Sequence, residues 1–212
     1  TDEGLAHFKS AYPGETISKE DIFYYVYGLL HSSDYRSRFE QNLSKELPRV
    51  PKVKSSADFW SFSQAGRDLA KWHLDYESAP RYAVKLDLGN KKTKDLKAEH
   101  YYVTKMKFGK VRNDENKLIP DKSTIIYNNH IKIEGIPLDV YDYVVNGKSA
   151  IEWVMERQGV KIDKKSGITN DANDWAIETM GNARYPLDLL QRVITVSLET
   201  NKIVNSLPKL DI

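Results

Sequence analysis

Cysteine is absent from all 212 residues of the chain. Its absence excludes a disulfide framework and a zinc ribbon, and it suits a reducing compartment. Long hydrophobic runs are missing too: no stretch approaches eighteen apolar residues, and the N-terminus lacks a charged-then-apolar signal pattern. The expectation is a soluble, cytoplasmic protein with no membrane partner. An excess of one charge is also lacking. Thirty-two Lys and Arg face thirty Asp and Glu, a net charge of +2, so an anionic partner needs locally concentrated positive charge. There is no initiator methionine at Thr1, and the first clear structural signals come only after Pro13-Gly14. The chain therefore reads as a fragment of a longer polypeptide.

What is present describes a folded chain. Apolar residues make up 40% and aromatic residues 11%, with charges of both signs interspersed, and the length allows a sizeable core. Ser18 and Asp21 have the spacing of a capping box ahead of a helix from about 19 to 31. Ser32 and Ser33 open a second, amphipathic helix with Tyr35, Phe39 and Leu43 on one face, and Pro48 and Pro51 end it in an extended connector. A third helix runs from about Ala57 to Asp75 and contains Gly66.

After Pro80 the period shifts toward two. "RYAVKLDL", "EHYYVTKMKF" and "STIIYNNHIKIEGI" read as strands, with Asn128-Asn129 as a left-handed hairpin turn in the last. Helix returns in "VNGKSAIEWVMERQG", with Gly159 as its stop. The polar loop "DKKSGITNDANDW" leads to Pro186 in the first turn of a long final helix. Helices, then strands, then helices predict an α+β fold, with N- and C-terminal helices packed around a central, mainly antiparallel β region. The expected parts are 1–80, helical; 81–145, β-rich and DNA-reading; and 146–212, helical, all forming one integrated domain.

Between residues 21 and 39, "DIFYYVYGLLHSSDYRSRF" places six aromatic rings in nineteen positions. A base-stacking platform needs rings exposed on a strand or in a groove. Phe23, Tyr25, Tyr27, Tyr35 and Phe39 instead fall at helical spacing, which favours core packing.

Partial catalytic motifs fail on spacing. "NGKS" at 146–149 lacks the P-loop glycine, since Asp142 stands five positions before Gly147; Ser149 and Glu152 read better as a capping box. Five isolated histidines offer no i, i+4 pair for a metal. Asp171, Asn173 and Asp174 lack the glycine and distal glutamate of a calcium loop and read as a solvated loop. Glu115 and Lys117, with Asp87 or Asp95 upstream, imitate a Mg-dependent nuclease constellation. No catalytic residue and no metal ligand is assigned.

Charge is the one uneven property. Lys85 to Lys122 holds eleven Lys or Arg against six Asp or Glu, a local excess of five. Such concentration is what holding a phosphate backbone requires. The phosphate candidates are Lys91, Lys92, Lys94, Lys105, Lys107 and Lys110, with Lys105 and Lys107 on one strand face; Arg112, Asn113 and Asn116 are the base-reading candidates.

Finally, "DIFYYVYGLLHSSDYRSRFEQNLSKELPRVP", "DFWSFSQAGRDLAKWHLDYE", "DKSTIIYNNHIKIEGIPLDVYDYVVNGKSAIEWVMERQ" and "DLLQRVITVSLETNKIVNSLP" resemble, in order, the C-terminal specificity region of type ISP restriction-modification enzymes. The resemblance covers about residues 17 to 208. It implies a bacterial double-stranded DNA recognition module that directs the methyltransferase, nuclease and translocase parts of one polypeptide to a short target. Its implied partners are duplex DNA and the methyltransferase domain. By the same resemblance, the parent is an adenine-N6 methyltransferase and ATP-dependent restriction endonuclease using S-adenosylmethionine, ATP and Mg, with no cofactor held by this chain. The Asn-Pro-Pro-Tyr motif, cofactor glycines and helicase motifs are absent, so no catalytic residue carries over. The alternatives are a metal-dependent nuclease centred on Glu115 and Lys117, and a structural coupling module that touches no DNA.

Overall fold

The computed structural model describes all 212 residues, arranged in two compact units: Thr1–Asp75 with Glu199–Ile212, and Tyr76–Leu198. The fold class is α+β, as expected. The first helix, α1 (Asp2–Ala11), lies ahead of Pro13-Gly14, where the sequence reading expects nothing. The Thr1 hydroxyl accepts from the Gly4 amide, while Asp2 and Glu3 begin the helix and Lys9 ends it, each charge complementing the helix dipole. The capping box of Ser18 and Asp21 starts α2 (Lys19–His31). Ser32 caps α3 (Ser33–Arg38), but the expected second helix breaks at Phe39 and resumes only as α4 (Glu40–Leu43). The third long helix is α5 (Ser56–Leu74).

Aromatic rings make the core of this first unit. Tyr25 stacks on Phe59 with centroids 5.0 Å apart, and Phe8, Tyr12, Phe62 and Tyr35 complete the cluster. The core reading therefore holds for Tyr25 and Tyr35, while Tyr27 and Phe39 are half-buried. Phe23 is a correction: it is 63% exposed, because it lies on the side of α2 turned away from α5. Three tyrosine hydroxyls donate to the connector after α4: Tyr35 to the Arg49 carbonyl, Tyr25 to Pro51 and Tyr12 to Val53, at 2.7, 2.7 and 2.6 Å. Acceptors two residues apart are the signature of an extended chain, and this one has side chains in place of a neighbouring strand.

In the second unit, β1 (Lys85–Asp87), β2 (Lys107–Arg112), β3 (Leu118–Ile126) and β4 (Lys132–Glu134) form an antiparallel sheet in the order β1-β4-β3-β2. Two small hairpins follow, β5 (Val144–Val145) with β6 (Lys148–Ser149), and β7 (Val160–Ile162) with β8 (Thr169–Asp171). The helices are α6 (Ala150–Arg157), opened by the expected Ser149/Glu152 capping box, α7 (Ala172–Glu178), and α8 (Tyr185–Asn205), which belongs to this unit as far as Leu198. Ile125 and Ile133 face each other across β3 and β4 and pack with Tyr127, Ile151, Leu190 and Ile194.

Four details correct the sequence reading. "EHYYVTKMKF" is a short 3-10 turn followed by irregular backbone, and its strand begins only at Lys107. Asn128 and Asn129 do not take positive φ; the non-glycine residues that do are Asn116 and Asn146. Gly159 is not a left-handed stop. It is required because a Cβ there would sit 2.6 Å from the Thr104 carbonyl oxygen. The polar loop before α8 folds as the turn and second strand of the β7–β8 hairpin and the start of α7, and Asn173 within it is buried.

Candidate nucleic-acid interface

The sheet sorts its cations by what stands beside them. On β1 and β4, Lys85 pairs with Glu134 at 2.7 Å, and Lys132 bridges Glu134 and Asp87 at 2.7 and 3.2 Å. These pairs hold both lysines above the usual ammonium range and Glu134 below the usual carboxylate range. Lys122 lies over the Tyr141 and Phe108 rings, at 4.7 and 5.8 Å from their centroids. Lys91, Lys92, Lys94, Lys105, Lys107 and Lys110 are all exposed, and none forms an ion pair. None of the six phosphate candidates is neutralised by a carboxylate; Lys97 and Lys122 likewise form no ion pair.

They fall into two groups. Lys91 and Lys92 border a hollow beside β1, with Lys94 in the 3-10 turn that follows. Lys105, Lys107 and Lys110 line an open cleft of about 690 Å³, walled by Phe108 and Leu118 and closed by Lys148 from β6. Met106 is buried and Phe108 half-buried, so the lysines alternating with them project outward as the spacing predicts. Lys148 itself pairs with Glu156 and lies 4.7 Å from the Trp153 ring centroid.

The segment that delivers Lys105 pairs with no strand of the four-stranded sheet and is held mainly by side chains, with one backbone bond from β7. Asn173 makes a two-pronged bond to Val103, accepting from its amide and donating to its carbonyl, both at 2.9 Å. The Val160 amide donates to the Thr104 carbonyl at 2.9 Å, and the Tyr127 hydroxyl to that of Tyr101 at 2.7 Å. Asn128 donates to the carbonyls of His100 and Tyr102, each at 2.9 Å. The Tyr102 hydroxyl donates to Asp171 at 2.9 Å, which raises the phenol pKa. Partial burial pushes Asp171 up, but hydrogen bonds from Asn173 and Tyr102 bring it below its ordinary value. Asp171 also caps α7. Residues that read as a solvated loop therefore anchor the lysine-bearing backbone. Sequence reasoning missed this because the partners lie 70 residues apart.

Arg112, Asn113 and Asn116 come together at the tip of the β2–β3 hairpin. Part of their hydrogen-bonding capacity holds that turn. Arg112 donates to the Asn116 carbonyl at 2.7 Å, the Asn113 side-chain oxygen accepts from the Lys117 amide at 2.8 Å, and Asn116 adopts φ 59°. The remaining guanidinium donors, the Asn113 amide nitrogen and the Asn116 side chain stay open.

The nuclease residues have separate engagements. Glu115 pairs with Lys117 at 2.7 Å, Asp87 with Lys132 at 3.2 Å, and the Asp95 carboxylate accepts from the Lys92 amide at 3.2 Å. No group of three or more His, Cys, Asp or Glu is placed to hold a metal ion. No helix is long and apolar enough to cross a membrane.

Solved structures share this architecture. A nuclease-deletion mutant of the type ISP restriction-modification enzyme LlaGI, in complex with a DNA substrate mimic, matches over 93% of this chain with 40% identity and a TM-score of 0.74. The ATP-dependent type ISP restriction-modification enzyme LlaBIII bound to DNA matches over 100% with 36% identity and a TM-score of 0.78. A DrdV–DNA complex, solved by cryo-electron microscopy, also matches over 100%, with 31% identity and a TM-score of 0.75. This chain spans 17%, 12% and 20% of those three chains respectively. No curated protein matches it significantly. The family model of the type ISP C-terminal specificity domain matches residues 1–189, and the chain belongs to that family.

Proposed function

We propose that this chain is the target-recognition module of a larger restriction-modification polypeptide and that it grips duplex DNA through its second unit. The observation that carries the reading is the set of six exposed lysines without a carboxylate partner, two on β2 and four in the segments flanking β1 and β2, whereas the lysines of β1, β3 and β4 are paired or covered by rings. Unpaired ammonium groups are the ones that can exchange counterions for phosphates. Lys105, Lys107 and Lys110 hold one stretch of backbone and Lys91, Lys92 and Lys94 another. Arg112, Asn113 and Asn116 present their remaining polar atoms to base edges from the hairpin tip.

On this reading the chain itself catalyses nothing. Adenine-N6 methylation and ATP-dependent restriction belong to the rest of the polypeptide, with S-adenosylmethionine, ATP and Mg bound there. The partners are duplex DNA and the methyltransferase domain, and the compartment is the bacterial cytoplasm. DNA-bound relatives that match over nearly the whole chain support the assignment.

The test is binding of duplex DNA by the full polypeptide across a salt series. Lys105→Ala with Lys107→Ala should weaken binding to every sequence and reduce the slope of log affinity against log salt by about 0.9 for each phosphate no longer neutralised. A slope equal to that of the unmodified protein removes those two lysines from the interface.

A further inference from the structure

The turn between β3 and β4 is built differently from the β2–β3 tip. Asn128 commits its whole side chain to structure. Its oxygen accepts from the His130 and Ile131 amides, both at 2.8 Å, and its nitrogen donates to the His100 and Tyr102 carbonyls. Those bonds tie the turn to the segment that delivers Lys105. The next residue, Asn129, is exposed, and its side chain has no partner in the protein. His130 is also exposed, its ring edge-on to His100 at 5.2 Å.

Both residues open onto a cleft of about 360 Å³, with Lys105 and Lys107 on its border and Glu99 and Tyr102 in its wall. Tyr102 is 47% exposed, yet its hydroxyl is tied to Asp171 and its carbonyl to Asn128. The cleft therefore combines a fixed aromatic face, an unpartnered carboxamide, an imidazole, a carboxylate and two unpaired cations. An asparagine amide matches the donor and acceptor of adenine in the major groove, and a carboxylate accepts from the amino group of cytosine. Cations beside such groups engage the phosphates that flank the base being read. A reading side chain gains from a backbone already locked in place, and this turn is locked by four hydrogen bonds from one residue.

We infer that this cleft is a base-reading site of the module, with Asn129 as its principal reading residue and His130 and Glu99 beside it. The inference rests on the reading of the chain as a duplex-binding module. It adds a second reading element to the β2–β3 tip, whose residues devote part of their capacity to their own turn.

The experiment uses the full polypeptide and a library of duplexes of randomised sequence, with the bound fraction sequenced. Asn129→Ala should relax preference at one base-pair position, lowering discrimination there by about tenfold, with the salt slope and melting temperature unchanged. Lys105→Ala with Lys107→Ala, in the same assay, should lower binding to all members alike. If Asn129→Ala leaves the preference profile unchanged while the lysine variant behaves as expected, the reading cleft is wrong and the duplex-binding module stands. If the unmodified polypeptide binds no duplex, the module reading falls and the cleft with it.

Discussion

Two glycines decide how closely α2 and α5 approach. A Cβ on Gly66 would fall inside the van der Waals shell of the Tyr24 carbonyl, and one on Gly28 inside that of Phe62. In an exposed helix, glycine to alanine would stabilise by about 1 kcal/mol. Here the sign should invert. Gly66→Ala is expected to destabilise the first unit by about 1–3 kcal/mol, as overpacked cores do, with a lower urea midpoint as the readout. A neutral or stabilising result would mean that the two helices part without cost. The sequence identified Gly66 as internal to a helix, but its role depends on Tyr24, far earlier in the chain, which no local pattern reports. Phe23 shows the same limit, since helical periodicity gives a residue's angle on the helix but not how much of the circumference neighbours cover.

Elements whose cause is local were legible. The capping boxes of Ser18 with Asp21 and Ser149 with Glu152 each lie within four residues, and both stand where the spacing put them. Elements held from a distance were not legible. The stretch 98–106 has the alternation of a strand, but its backbone groups find side chains instead, chiefly Asn173, Asn128 and Tyr127. The lysines of the candidate interface could be nominated by charge and spacing, whereas the frame that aims them could not. Asn173→Ala would leave both the Val103 amide and carbonyl buried without a partner, and each orphaned group costs about 1–3 kcal/mol. We expect a loss of at least about 2 kcal/mol in the stability of the second unit. Asn173→Asp keeps the acceptor for the amide but sets a buried carboxylate against the Asp171 carboxylate and the Val103 carbonyl, and should lose at least as much. Hydrogen exchange at Val103 provides the local check: protection equal to the unmodified chain in Asn173→Ala would refute the two-pronged anchor.

Across the whole molecule, exposed cations of the second unit carry the proposed DNA contacts, while two half-buried imidazoles of the first unit bear on its response to pH. His73 accepts or donates at both ring nitrogens, to the Tyr27 hydroxyl of α2 at 2.7 Å and the Thr200 hydroxyl of α8 at 2.9 Å, and its ring lies 5.4 Å from that of His31. Burial, and secondarily the neighbouring His31, pushes His73 down from the usual 6.5 to about 4. Burial also lowers His31; the bond to the Tyr27 carbonyl opposes that shift, and Arg36 adds to it. Both folded-state values lie below the unfolded one, so the unfolded chain takes up protons first as pH falls. The stability these groups contribute is complete above about pH 6.5 and is lost as the pH drops toward 4. Below that range, protonation of carboxylates held down by hydrogen bonds and ion pairs, such as Asp21 with Ser18 and Arg67, takes over. Thermal unfolding followed by circular dichroism should show a melting temperature that falls through the histidine window. In the double variant His31→Gln, His73→Gln that fall should flatten, whatever the absolute stability of the variant. An equally steep decline in the double variant would assign the acid sensitivity to other groups.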